Sequence, residues 1–303
     1  MKIYDVAFLG MGASALATAK LKYKGTSISL IGIDKNYHSK RNNFFAFWLT
    51  DWMKDFDSLV QKKWFCWNFY LTNNHIKHET KDLPYCTIRY QDWKNYCLKG
   101  LENLSIKEFN VQSITNLKKY YEIKLENGEE IFAKKIYDSR TPKLENEKVK
   151  QHFFGYLIET KQMINSNSVT LMDFRVEQKM GLHFMYCLPI DENRMLVEST
   201  VFSSEIQEDD WYQKQILEYI ETKLNLSEYK IVDEEKGALP MYDIENKSSE
   251  NYINIGSRGG ATKISTGYAF SFFLKNIMIN FKNINKSHHL SLIHISEPTR
   301  REG

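Results

Sequence analysis

The sequence predicts an α/β fold whose second half is α+β, with a largely antiparallel sheet. Three observations carry this. A short apolar run near the start passes through a glycine turn into a helix-forming stretch and on to a second apolar run. The middle of the chain holds several strand-like runs with hairpin signals. Near the end, a second glycine turn opens a long apolar helix, so the chain returns to the kind of element it began with.

The opening unit spans Tyr4 to Asp34. Asp5 to Leu9 has strand character, ALATAKL is rich in helix formers, and Ser27 to Ile33 is a second strand that ends on Asp34. Gly10 allows the tight turn and Gly12 lets backbone approach a pyrophosphate. Ala15 is small enough for the helix to lie close on the sheet. The helix N-terminus offers free N–H groups and a positive dipole to phosphates. Asp34 lies 24 residues after Gly10, where an acid can take the hydroxyls of a ribose. A plain βαβ unit shares the glycine turn, but the full strand–turn–helix–strand–acid order favours a dinucleotide. It fits a flavoprotein and a dehydrogenase equally.

At 303 residues, 42% apolar and 14% aromatic, the chain can bury a core in one large domain or two modest ones. Lysine and arginine number 41 against 38 acids, a net charge of +3, which gives no argument for nucleic acid. The four cysteines, Cys66, Cys86, Cys97 and Cys187, form no CxxC pair and read as reduced, buried thiols of a cytosolic protein. His75 and His78 have no acidic or thiol partner in sight, so no metal site is expected. The most apolar stretch, Gly267 to Phe281, is interrupted by Lys275 and reads as a buried helix and not a membrane span.

Residues 36 to 80 are dense in aromatics, from Phe44 and Phe45 to Phe69 and Tyr70. They suit either an ordinary core or the apolar wall of a site for a long ligand. Tyr85 to Tyr90 reads as a strand and Gln91 to Leu101 as a helix. A meander follows over Ile106 to Ile114, Lys119 to Leu125 and Glu130 to Tyr137, with Asn127–Gly128 as a hairpin turn. Tyr137 to Arg140 returns to the nucleotide sheet, and 141–150 is an exposed connection.

Further strands are expected over His152–Glu159, Val169–Val176, His183–Leu188 and Arg194–Phe202. A helix over Asp209–Leu224 and strands at Tyr229–Val232 and Tyr252–Ile255 come next. Gly256, Gly259 and Gly260 then form a turn that can bring N–H groups to a pyrophosphate or flavin edge. Ser265 or Thr266 is a possible N-cap of the last helix. SLIHISEPTRR, from Ser291, reads like the translation of a sequencing adapter and is set apart from the fold.

Several stretches together resemble the lycopene cyclases, flavin-dependent enzymes that close the rings of carotenoids. They are NNFFAFW (42–48), YDSR (137–140), QHFFGYLIE (151–159), VTLMDFRVEQKMGLHFMYCLP (169–189), NRMLVESTVFS (193–203), GALPM (237–241) and GSRGGATKISTGYAF (256–270). They come in the family's order, span nearly all of residues 1–282, and look most like the bacterial β-cyclase branch. The resemblance implies a Rossmann-type, three-layer FAD-binding fold with an antiparallel-sheet substrate domain. Residues 1–150 would be the FAD-binding part with an inserted meander, 151–250 the substrate part, 251–290 the return to the FAD domain, and 291–303 a non-native tail.

The implied reaction turns the open ψ-ends of lycopene into β-rings, through γ-carotene to β-carotene. It is redox-neutral yet needs reduced FAD, with NAD(P)H as electron source. A hydrocarbon substrate dissolved in membrane implies peripheral attachment at the cytoplasmic face. Three departures stand out. Phe44-Phe45-Ala46 replaces a Thr-Trp-Cys type run, Ile264 stands where proline is usual, and members run on for roughly another quarter of their length, so a C-terminally truncated chain is expected.

Ring closure needs an acid beside an alkene, a setting that tolerates a cation, and a base. In Arg194–Phe202, alternation puts Leu196, Glu198, Thr200 and Phe202 on one face. A carboxyl there is either an exposed or ion-paired strand residue, or a desolvated one that stays protonated near neutral pH and can donate a proton. The family's catalytic glutamate falls in this motif, which implies Glu198 as the proton donor. Asp173 and Arg175 are either a structural ion pair or a charged group that positions the acid, and the cofactor set would be Gly10, Gly12, Ala15, Asp34, Asp138, Gly256, Gly259 and Gly260. Reduced flavin could stabilise the cation or be the acid itself; the residues leave both open. So do two other readings, an FAD monooxygenase or reductase acting on an isoprenoid, and a flavin- or carotenoid-binding protein without turnover.

Overall fold

A computed structural model describes residues 2–39, 43–245 and 247–283. The proposed tail from Ser291 lies outside them. In chain order, β1 (Ile3–Leu9), α1 (Ala13–Tyr23) and β2 (Leu30–Ile33) make the opening unit. The aromatic stretch gives β3 (Phe44–Trp48), a 3-10 segment (Asp51–Leu59), β4 (Lys62–Trp64), β5 (Cys66–Leu71) and β6 (Asn74–Glu79). Next come β7 (Tyr85–Arg89), α2 (Tyr90–Leu98), β8 (Leu104–Lys107), β9 (Val111–Asn116), β10 (Tyr121–Leu125) and β11 (Glu130–Asp138). The second half holds β12 (Lys150–Thr160), β13 (Val169–Asp173), β14 (Leu182–Pro189), β15 (Arg194–Ser203), α3 (Asp209–Thr222), β16 (Tyr229–Pro240), β17 (Tyr252–Asn254), a 3-10 turn (Gly256–Gly259) and α4 (Phe270–Asn283).

The first sheet runs β8-β2-β1-β11-β10-β9, with β17 also on β11. Its β8, β2, β1, β11 and β17 are mutually parallel. Such a core strand is buried on both faces, so it reads as continuously apolar. In β1, Val6 and Phe8 pack beneath α1, α2 and α4, while Ala7 and Leu9 face the β9–β10–β11 meander. Helices, parallel sheet and meander are the three layers. One expectation changes here. The run from Ile106 is two strands, because β8 pairs in parallel with β2 and the chain turns at Asn110, whose amide donates to Glu126 at 2.9 Å. Only β9 belongs to the meander.

The second sheet runs β16-β12-β15-β14-β13-β5-β6. β5 and β6 fall inside the expected N-terminal part, yet they extend this second sheet, because β5 pairs in parallel with β13. Strict alternation sorts the two faces. Met195, Val197 and Val201 of β15 pack with Ile216, Tyr219 and Ile220 of α3. Leu196 turns the other way, toward Trp64, Tyr85 and Leu188. β3, β7 and β4 form a small third sheet beside this face. The last helix starts at Phe270, one turn later than the Ser265 or Thr266 cap would place it, because Gly267 adopts φ +74 and breaks the helical path.

Candidate active site

The first glycine turn is held from three sides. Gly10 has φ +78, and a Cβ there would meet Ser139 Oγ at 3.0 Å and Arg140 N at 3.2 Å, so both conformation and space ask for glycine. Asp34 Oδ2 accepts the Met11 N–H at 2.8 Å and its Oδ1 accepts the Asn36 N–H at 2.8 Å. Ser139 Oγ donates to the Gly10 carbonyl at 2.9 Å. Gly12 is the N-cap of α1, whose first turn carries no acid, and Ala15 is fully buried against the sheet.

Asp138 has a different place from a ligand contact. Its fully buried carboxylate accepts from Arg140 at 2.9 and 2.7 Å and from the Tyr252 hydroxyl at 2.7 Å, and Arg258 Nε stands 3.5 Å away. Burial alone would raise its pKa, but Arg140, Tyr252 and Arg258 outweigh that and hold it below the ordinary value. Arg258 also donates to the Arg140 carbonyl at 2.9 Å, which ties the second glycine turn to the YDSR strand.

A cavity of about 760 Å³ runs from this region into the second sheet. Gly12, Ala13, Ser14, Gly256 and Ser257 line one end, and Glu198, Thr200, Tyr186 and Glu235 line the other. Phe44, Phe45, Phe153, Phe184 and Phe270 lie along the way. Gly10, Asp34, Asp138, Gly259 and Gly260 are not on this wall; they shape the turns behind it. Most of the aromatic stretch is core, with Phe47, Phe56 and Trp64 buried, and from 44 to 70 only Phe44 and Phe45 reach the cavity among the aromatics. Gln151 Oε1 and Thr266 Oγ1 are buried on the wall without a hydrogen-bond partner. Unmet polar atoms beside a helix N-terminus suit an elongated polar ligand.

At the far end, four residues form a row across four strands. Tyr186 of β14 pairs with Glu198 of β15, Glu198 with Gly155 of β12, and Gly155 with Glu235 of β16. Glu198 is 7% exposed, and Thr200 Oγ1 donates to its Oε1 at 2.5 Å. Burial first, then the charge of Glu235, push the Glu198 carboxyl well above the ordinary value. Burial and then Asp233 push Glu235 up to about 7. The Tyr85 and Tyr186 hydroxyls lie 2.7 Å apart, and Tyr85 donates to the Tyr268 hydroxyl at 3.3 Å.

The expected partnership of Glu198 with Asp173 and Arg175 is not what the structure brings together. Asp173 is fully buried on the α3 side, where it accepts from Arg175 at 2.9 and 2.6 Å and from the Tyr219 hydroxyl at 2.8 Å. Arg175 stacks on Tyr70, 4.2 Å from the ring centre. A register shift between Thr170 and Asp173 turns the acid away while Leu171 and Met172 stay on the cavity wall. The pair is a clamp in the opposite layer.

Glu235, Tyr186, Gln151 and Thr266 escaped sequence reading. Glu235 sits in a polar run, DEEKG, that looks solvated; the signal was the alternation Asp233, Glu235, Gly237 leading into GALPM, a strand longer than the one expected to stop at Val232. Among the described residues no group of three or more His, Cys, Asp or Glu side chains could hold a metal, and no helix is long and apolar enough to cross a membrane.

A neoxanthin synthase of Solanum tuberosum is 23% identical over 299 positions, covering 88% of this chain and 57% of that protein. A lycopene beta-cyclase of Pseudescherichia vulneris is 28% identical over 155 positions, covering 48% of this chain and 40% of that protein. The chain thus spans about half the length of these relatives. Among solved structures, a geranylgeranyl bacteriochlorophyll reductase-like protein of Thermoplasma acidophilum superposes with a TM-score of 0.71 at 10% identity, covering 94% of this chain and 79% of that one. The flavin-dependent brominase Bmp2 gives 0.64 at 14%, covering 93% and 79%. At such identities the likeness is one of fold, that of the flavin-dependent monooxygenases and halogenases. Residues 5–298 match the model of the lycopene cyclase protein family, and the chain belongs to that family.

Proposed function

We propose that the chain is a lycopene β-cyclase, which closes the ψ-ends of lycopene, through γ-carotene, to the β-rings of β-carotene without net redox change. The observation that carries this is a buried glutamic acid, Glu198, whose carboxyl burial pushes well above the ordinary value, on the wall of a cavity that begins at the first glycine turn. A carboxyl kept protonated near neutral pH is the acid an alkene needs. The Thr200 hydroxyl orients it, and the Phe44, Phe45 and Phe184 rings offer a dry, cation-tolerant wall.

The wall residues fit FAD. The α1 N-terminus, Ser14 and Ser257 suit phosphate, and Gln151 and Thr266 offer unmet polar atoms farther along. When bound and reduced, with NAD(P)H as electron source, FAD supplies negative charge beside the developing cation. Lycopene is a membrane solute, so we place the protein peripherally at the cytoplasmic membrane face. The test is pigment analysis of lycopene-accumulating cells that express the chain or its Glu198→Gln variant. Ring products from the first and none from the second are expected. Unchanged lycopene in both, with flavin bound to the purified protein, would refute the cyclase reading.

A further inference from the structure

We infer that Glu235 is the base of the ring closure, and that it forms with Glu198, across the side-chain-free Gly155, a two-carboxyl unit holding one proton. This rests on the cyclase reading above and goes beyond it by assigning the final deprotonation.

The geometry comes from the row of paired residues. Glu198 and Glu235 are each in register with Gly155, on neighbouring strands to either side of it, and both line the cavity. A Cβ at Gly155 would touch Glu198 Cβ at 3.3 Å and Cγ at 3.4 Å, so Glu198 leans over the glycine toward β16. Any side chain at 155 would stand between the two carboxyls. Strands lie about 4.8 Å apart, so the two glutamates stand about two spacings apart with only the bare glycine between them.

The surroundings divide the roles. Glu198 is buried and takes the Thr200 hydroxyl, whereas the main chain of Phe44 beside Glu235 favours the charged form of that carboxyl. Tyr186 and Tyr268 face the pair as neutral hydroxyls held protonated by burial. Asp233 repels a second charge, and Lys236 is turned away to Asp209 at 2.6 Å. Among the described residues neither carboxyl forms an ion pair with a lysine or arginine, and two such carboxyls that share a site favour a single shared proton.

The step balances. The Glu198 proton adds to the terminal double bond of the ψ-end. The π pair of the next reacting double bond forms the ring carbon–carbon bond and leaves the positive charge inside the ring. Glu235 takes the adjacent ring proton, and that C–H pair becomes the ring double bond. One proton enters and one leaves, and no electron is exchanged. Glu198 ends as carboxylate and Glu235 as acid, and transfer across the gap at Gly155 resets them.

The experiment compares the unaltered chain, Glu235→Gln, Glu235→Asp and Glu198→Gln, each purified with FAD. Rates and ring isomers are read per bound flavin, and infrared titration of isotope-labelled glutamate carboxyls reads the pair without turnover. Expected are a fall of about 100-fold or more in Glu235→Gln, partial recovery in Glu235→Asp, and a rise in rings whose double bond lies away from the β position. Infrared titration should show Glu198 ionising at lower pH once Glu235 is replaced. The isomer ratio is independent of how much protein folds. Turnover of Glu235→Gln within about threefold of the unaltered chain with the same isomers, or a Glu198 titration indifferent to Glu235, would overturn the proposal. If the unaltered chain makes no ring, the base role falls with the cyclase reading, and the infrared coupling still decides whether the pair exists.

Discussion

Asp34 Oδ2 accepts the main-chain N–H of Met11 at 2.8 Å, so the acid at the end of β2 closes the glycine turn at the end of β1. Its other oxygen takes the Asn36 N–H. Both oxygens therefore shape the backbone around the glycine turn, where the proposed dinucleotide would lie. Replacing Asp34 by Ala leaves the Met11 N–H without this acceptor, and such a charge-assisted bond contributes about 1.5–3 kcal/mol. Flavin retention should fall about tenfold or more, measured by fluorescence of released flavin on dialysis.

Gly10→Ala forces an L side chain into φ +78 and against Ser139. The strain should cost about 1–2 kcal/mol, read as a lower urea midpoint with an unchanged slope. The contact partner is on the YDSR strand, so Ser139→Ala beside it should relieve part of the clash and leave the strain from φ.

Two Asp-x-Arg clamps have the same geometry. Asp138–Arg140 is completed by Tyr252 and Asp173–Arg175 by Tyr219, and both carboxylates are fully buried. Removing the acid strands an arginine that is itself about one-third exposed, so part of the loss is screened. Asp173→Asn and Asp138→Asn should each cost about 2–4 kcal/mol by denaturation. Asp173→Asn should leave ring formation per folded molecule within about threefold, since the clamp faces α3; a much larger loss would return Asp173 to the chemistry.

The pH dependence of stability follows from signs. Glu198 and Glu235 have raised pKa values in the folded protein, so the folded state holds more protons than the unfolded one above the ordinary value of 4.5. Their penalty is absent below that value and grows as pH rises, up to about 7 for Glu235 and higher for Glu198. Asp138 and Asp173 have lowered values, so their contribution is lost as pH falls below 3.8. Glu198→Gln should therefore raise Tm at pH 8 more than at pH 5, by calorimetry across that range.

The parts legible in the sequence are those where local pattern and tertiary fate agree. β1, the Gly10 turn, α1 and β2 announce themselves because strand, turn and helix each have their own period, and the acid follows at a fixed spacing. The inward, apolar setting of Glu198 was legible because Leu196 and Thr200 flank it at strand alternation, while its proposed role as acid came from the family resemblance. The setting of Glu235 was not legible, because a strand at the sheet's edge carries lysines and acids on its outer face that mask an inward carboxyl. Asp173 looked like a partner of Glu198 because periodicity cannot see a register shift. The aromatic stretch of 44–70 suited a core and a wall alike, and the structure uses most of its rings to fill the junction of three sheets, with only Phe44 and Phe45 on the cavity.

The chain's path has a consequence for how the protein is made. β5 and β6 belong to a sheet whose other strands begin at Lys150, and β17 completes a sheet begun at Ile3. Neither sheet can close until most of the polypeptide has left the ribosome. High contact order slows such folding and leaves strand edges uncovered in the meantime. The first 150 residues, though they contain the whole first glycine turn, would carry β5 with its β13 edge bare, so the molecule is assembled as one interlocked unit and not as an N-terminal domain that later acquires a lid.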